Sequence, residues 1–110
     1  MSQWADFYRE KFQGAVVVEK EDVFFWGYPQ EGYFMIGDCY VIPEKRNKGL
    51  WMEYHKELEY EAMKLNYDRI VGTMDIGTQN IERALTSAFK CGYEIMEIKE
   101  NRIIVVTKVL

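Results

Sequence analysis

Tyr40-Val41-Ile42-Pro43-Glu44-Lys45-Arg46-Asn47-Lys48-Gly49-Leu50 is the stretch that decides the fold. An apolar run ends in a proline, a basic turn with one glycine follows, and an amphipathic pattern begins. A strand-turn-helix junction aims unpaired backbone N–H groups and the positive end of a helix dipole at one point, where an anion is stabilised. Arg46 and Lys48 add charge there, the first as a planar fork and the second as a point. The junction points to a phosphate-bearing ligand; a solvated basic loop is the alternative.

Downstream of the junction, Trp51, His55, Leu58, Ala62 and Leu65 form one stripe of a helix over Leu50 to Leu65, with Glu53, Lys56, Glu57, Glu61 and Lys64 off it. A strand over Arg69 to Ile76 follows. A second helix over Asn80 to Lys90 turns Ile81, Ala84, Leu85 and Ala88 inward, with Asn80 as a candidate cap and Cys91-Gly92 as its stop. Tyr93 to Ile98 alternates, which predicts a strand with one wet face, and a turn at Lys99-Glu100-Asn101 leads to a last strand over Arg102 to Val109.

Upstream, Trp4, Phe7, Tyr8 and Phe12 share one helical face, with Ser2 placed to cap it and Gly14 to end it. Ala15 to Val18 and Val23 to Trp26 read as short strands, the second ended by Gly27-Tyr28-Pro29. Tyr33 to Ile42 reads as a third strand, interrupted at Gly37-Asp38, where a glycine marks a bulge or a close approach. The predicted order is α-β-β-β-α-β-α-β-β, an α/β (α+β) domain over residues 1–110 with a mixed sheet. The strand-helix-strand crossover makes the third and fourth strands parallel neighbours.

Composition narrows the function. A hydrophobic content of 48%, with 15% of all residues aromatic, supplies a core and argues against disorder. The net charge of −4 and a pI near 5.0 disfavour general nucleic-acid binding and mildly favour a cationic ligand. The acidic side chains Glu53, Glu57, Glu59 and Glu61 read as solvated helix surface. Cys39 and Cys91 read as buried or incidental thiols, and one histidine without a Cys-x-x-Cys pair gives no metal spacing. No signal-peptide pattern and no apolar run near the ~20 residues of a membrane span are present, so a soluble, cytoplasmic protein without a membrane partner is expected. The aromatic wealth at Trp4, Phe7, Tyr8, Phe24, Phe25 and Trp26 leaves room for a homodimer.

Two motifs in this order resemble the GNAT superfamily of N-acyltransferases over about Ala15 to Val109. One is a strand ending in Val41-Ile42-Pro43, followed by Arg46-Asn47-Lys48-Gly49-Leu50-Trp51 opening a helix. The other is Phe89-Lys90-Cys91-Gly92-Tyr93 between a helix and a strand. The resemblance implies a GNAT-like sheet and an acetyl-CoA cofactor. The backbone of Cys39-Tyr40-Val41 would pair with the pantetheine arm, and the turn Arg46, Asn47, Lys48, Gly49, Leu50 and Trp51 would hold the pyrophosphate. Asn80 would orient cofactor or acceptor, and a small-molecule or protein amine would receive the acetyl group directly.

The chain departs from the family pattern at four points. Trp51 stands where the family has Gly or Ala, and it either turns into the core or obstructs the turn. Ala88 occupies the position of the family's tyrosine general acid. Asp38 stands near the family's strand glutamate and is the candidate base, against a merely structural carboxylate. The usual first strand is missing, as is one of the first helices. These departures keep a second expectation open, a catalytically reduced GNAT-fold protein with a binding, virion or regulatory role, as in compact phage-encoded relatives. His55, on the inward stripe, reads as a packed side chain before a base.

Overall fold

The computed structural model describes residues 3–46 and 48–110. Ser2, read as a cap, and Asn47, read as part of the phosphate turn, lie outside the described residues. In chain order the elements are α1 (Gln3–Lys11), β1 (Val16–Glu19), β2 (Val23–Gln30), β3 (Tyr33–Val41), a 3-10 turn (Pro43–Lys45), α2 (Leu50–Lys64), β4 (Arg69–Asp75), α3 (Ile81–Lys90), β5 (Glu94–Lys99) and β6 (Ile103–Val109). Among the described residues the strands form one sheet in the order β1-β2-β3-β4-β6-β5, antiparallel throughout except for the β3–β4 pair. That is the predicted element order.

Turn chemistry sets the hairpins. Glu100 and Asn101 both take left-handed φ values, 55° and 56°, and Arg102 N–H donates to the Lys99 carbonyl at 2.9 Å, closing the β5–β6 hairpin. Gly27-Tyr28-Pro29 does not end β2, which runs on to Gln30. β1 pairs with β2 only as far as Gly27, so Pro29 lies where that side has no ladder bond to lose.

The glycine within β3 marks both a bulge and a close approach. Phe25 faces Cys39 and Gly27 faces Ile36, so Gly37 and Asp38 together oppose Trp26 alone. A Cβ on Gly37 would fall inside 3.0 Å of the Trp26 indole. That indole is buried, and its Nε1–H donates to Asp38 Oδ2 at 3.3 Å. Tyr8 stacks on it at 4.2 Å between ring centroids and Phe12 lies at 4.9 Å, which docks α1.

Adjacent strand residues point to opposite faces. α1 therefore covers the face carrying Phe24, Trp26 and Tyr28, while Trp51 and His55 of α2 reach Phe25 on the other. The larger core cluster joins Phe34, Leu58, Ala62, Ile70, Ala88, Tyr93, Ile104 and Val106, so α2 and α3 share that second face. β5 departs from the expected half-wet strand, because all six of its residues are exposed, Ile95 and Ile98 included. It is the outermost strand, and the buried side chains of α2 and α3 gather over β3, β4 and β6 instead. Leu65, predicted on the α2 stripe, is also exposed, one residue past the helix end.

Gly37→Ala should push the indole out of its seat and cost roughly 1–3 kcal/mol, the usual range for overpacking. Urea unfolding followed by tryptophan fluorescence measures it. An unchanged midpoint would show that the indole is not wedged against this glycine.

Candidate functional site

β3 and β4 pair only at Phe34–Ile70 and Met35–Val71. Beyond these pairs β4 stays with β6 up to Asp75, and β3 stays with β2 up to Val41. The two parallel strands therefore part, and the β3 edge that faces β4 runs outside any ladder from Gly37 to Val41. An exposed strand edge is a template for an extended ligand that brings its own hydrogen-bonding groups.

Pro43 ends β3 and opens the 3-10 turn, closed by Lys45 N–H to the Ile42 carbonyl at 3.0 Å and Arg46 N–H to the Pro43 carbonyl at 3.3 Å. Gly49 then takes φ 78° as the residue before α2, a conformation that favours glycine. The first bond of α2 runs from Glu53 N–H to the Gly49 carbonyl at 3.0 Å. The amides of Leu50, Trp51 and Met52 precede it and have no partner inside the helix. A Cβ at Gly49 would meet nothing within 4 Å, so the approach to these amides is open. Arg46 Nε donates to the Val41 carbonyl at 2.8 Å and its guanidinium lies 5.4 Å from the Tyr40 ring centroid, folding the turn back onto β3. Lys48 is exposed.

Trp51 turns inward. Its indole stacks on His55, 4.6 Å between centroids and 10° from parallel, and packs with Cys39 on the cluster of Val18, Val23 and Phe25. Burial pushes the Cys39 thiol up to about 12, more than the neighbouring Trp51 indole lowers it, so Cys39 is a packed thiol and no nucleophile. Cys39 and Val41 face α2, packing on Val18, Val23 and Phe25, together with Leu50. Asp38 and Tyr40 face α1 and are exposed. Asn80 heads α3, after the other strand of the split, in a left-handed conformation (φ 62°) and without a side-chain cap bond. The capping role assigned to it is therefore absent: its fitness here is tolerance of positive φ. Ala88 is buried in the core.

His55 is packed, as the stripe implies, but it belongs to a network that the sequence reading missed. Tyr93 O–H donates to Glu59 Oε2 at 2.9 Å, and His55 Nε2 lies 2.5 Å from the Tyr93 oxygen. Since the phenol has one proton and gives it to Glu59, His55 Nε2 is the donor to Tyr93. Lys108 Nζ donates to Glu59 Oε1 at 2.9 Å. Glu59 is thus buried rather than solvated surface. The available signal was its spacing, one turn past His55 and three residues before Ala62 on the inward stripe. Burial opposes its charged form, but bonds from His55, Lys108 and Tyr93 outweigh that and lower the carboxyl from 4.5 to about 2.

Comparisons with known proteins bear on the fold. Neither a protein-family model nor a curated protein matches the chain. Solved structures do. A Bacillus subtilis acetyltransferase in complex with CoA superposes with a TM-score of 0.75 at 16% identity, over 99% of this chain and 84% of that one. A GNAT family acetyltransferase from Elizabethkingia anophelis with acetyl-CoA bound gives 0.76 at 16% identity, over 99% and 84%. The ribosomal-protein-S18-alanine N-acetyltransferase from Escherichia coli gives 0.76 at 11% identity, over 98% and 77%. The chain has the GNAT fold.

Because its pKa is lower in the folded state, Glu59 contributes stability that is complete above about 4.5 and lost as pH falls toward 2. Glu59→Gln should cost roughly 3 kcal/mol at pH 7, because it removes the counter-charge of Lys108 and sets an amide NH2 against one of the donors that the carboxylate now accepts from. It should also flatten the loss of stability between pH 4.5 and 2. Denaturant unfolding of both proteins across that window measures it, and parallel curves would rule Glu59 out as the linked group.

Proposed function

We propose that this protein is an acetyl-CoA-dependent N-acetyltransferase that passes the acetyl group directly to an amine. The observation that carries the reading is the β3 edge left open beyond Met35, ending beside the free amides of α2. A pantetheine arm is an extended chain of amides that suits such an edge, and a diphosphate suits a helix N-terminus flanked by cations. Cys39, Tyr40 and Val41 would hold the arm by their backbone. The amides of Leu50 to Met52, with Arg46, Lys48 and the permissive backbone of Gly49, would hold the diphosphate. Trp51 contributes its amide while its indole is spent on His55. Solved neighbours with this fold hold CoA or acetyl-CoA.

Acetyl-CoA would supply the acetyl group as a thioester. The acceptor nitrogen forms the C–N bond as the C–S bond breaks, the nitrogen releases one proton, and the departing thiolate gains one from water. A β3 backbone N–H near Val41 would polarise the carbonyl. Asp38, exposed and tethered by the Trp26 indole, would accept the amine proton directly or through water. Two positions at and just past the end of α3 do not serve to protonate the thiolate: Ala88 has no proton to give, and burial first, then the Glu59 charge, pushes the Tyr93 phenol far above its ordinary value. That absence is the specific observation favouring the second reading, a catalytically reduced GNAT-fold protein with a binding, virion or regulatory role.

Thermal melting separates the two. Acetyl-CoA at a hundredfold excess over its Kd should stabilise the protein by about 2.7 kcal/mol, a shift of several degrees. Gly49→Val should abolish the shift while the fold persists, since its side chain meets open space and only the positive φ is strained. No shift at millimolar acetyl-CoA would overturn the transferase reading. A shift without acetyl transfer to any amine would favour the reduced protein.

A further inference from the structure

On the α1 face, beside the open end of β3, Trp4, Tyr8, Glu19, Phe24, Asp38 and Tyr40 line a cleft of about 390 Å³. Its walls are of two kinds only, aromatic rings and carboxylates. Ring faces carry negative potential and attract a cation laid against them. A carboxylate in the same cleft adds charge attraction. A neutral apolar ligand would gain the rings but strip water from Glu19 and Asp38 without recompense, and an anion would be repelled.

The cleft is assembled rather than incidental. Tyr8 is locked against Trp26 at 4.2 Å and lies 5.9 Å from Phe24. Asp38 is held by the Trp26 Nε1–H at 3.3 Å, and the bulge at Gly37 turns it to this face. Trp4 is 66% exposed and Tyr40 52%, so both rings form an open rim that an entering ligand can cover. Among the described residues neither Glu19 nor Asp38 belongs to an ion pair. Arg46, against Tyr40, is tied to the Val41 carbonyl and does not line the cleft.

We propose that this aromatic and acidic cleft binds the acceptor as a primary alkylammonium ion, its alkyl stem against the rings and its charged head between Glu19 and Asp38. The inference rests on the acetyltransferase reading and names its substrate class. Asp38 sits on the strand assigned to the pantetheine arm, so the cleft delivers nitrogen to the side of β3 where the thioester is expected. The charged form binds and the neutral amine attacks, so the nitrogen sheds two protons in all: one to water before the C–N bond forms, and a second to Asp38 as the amide forms and the thiolate takes a proton from water.

The test uses three probes of equal length, n-butylamine, n-butanol and butyrate, titrated at pH 7.5 and followed by calorimetry and tryptophan fluorescence. The amine should bind about tenfold tighter than the alcohol, and butyrate should bind weaker still. Trp4→Leu and Glu19→Gln should each weaken the amine several-fold while leaving the acetyl-CoA thermal shift intact. Equal binding of alcohol and amine, or amine affinity unchanged in both variants, overturns the cleft assignment whatever acetyl-CoA does. Selective amine binding without any acetyl-CoA shift upholds the cleft and overturns the transferase reading instead.

Discussion

The indole of Trp26 lies where Gly37 has no side chain, and the half of the molecule that carries the candidate site depends on that contact. One face of the ring presses on the β3 backbone, and Tyr8 of α1 and Phe12 just past its end cover it from the other side. The extra residue of β3 forced at this point rotates the strand, so that Asp38 and Tyr40 face α1 while Cys39 and Val41 face α2. Without the bulge the same side chains would exchange faces, because strand side chains alternate with a period of two. A single ring-on-backbone contact thereby sets helix docking, carboxylate placement and the direction in which β3 leaves its parallel neighbour.

The opposite face is held by polar chemistry. Glu59 gathers Tyr93, Lys108 and His55, and these four residues come from α2, the segment before β5, and β6. Such a network stabilises little in net terms, since burying its charges costs about as much as pairing them returns. Its effect is positional. It pins the middle of α2 to the far half of the sheet, and Trp51 stacked on His55 extends that hold to the first turn of the helix. The amides of Leu50 to Met52 are therefore presented at a fixed place relative to the β3 edge, which preorganised anion binding requires.

Local chemistry was legible in the chain and distant pairing was not. Pro43, the basic turn and the stripe from Trp51 announced the strand-turn-helix junction, and Gly37 announced its bulge, because each signal is carried by neighbouring residues. Pro29 misled because a proline ends a strand only where its N–H is needed, and the short β1 leaves that side unpaired. Glu59 misled because its charge outweighed its position on the stripe, and its cation, Lys108, stands 49 residues away. The cleft had no local pattern at all, since its lining comes from α1, β1, β2 and β3.

These placements give β3 two electrically different sides. Toward α2 lie the helix amides; toward α1 lie Glu19, Asp38 and four ring faces, with the Arg46 guanidinium over Tyr40 at the end of the strand. An enzyme that joins a polyanionic donor to a cationic amine faces a specific difficulty. The two ligands attract each other in solution, yet only one geometry of their reactive atoms is productive. On the proposed reading, holding each against a wall of the opposite sign would make the unproductive ion pair costly and would leave the strand edge as the place where nitrogen and thioester meet. The overall charge of −4 has the same logic, because a local positive turn on an acidic molecule would draw a diphosphate to α2.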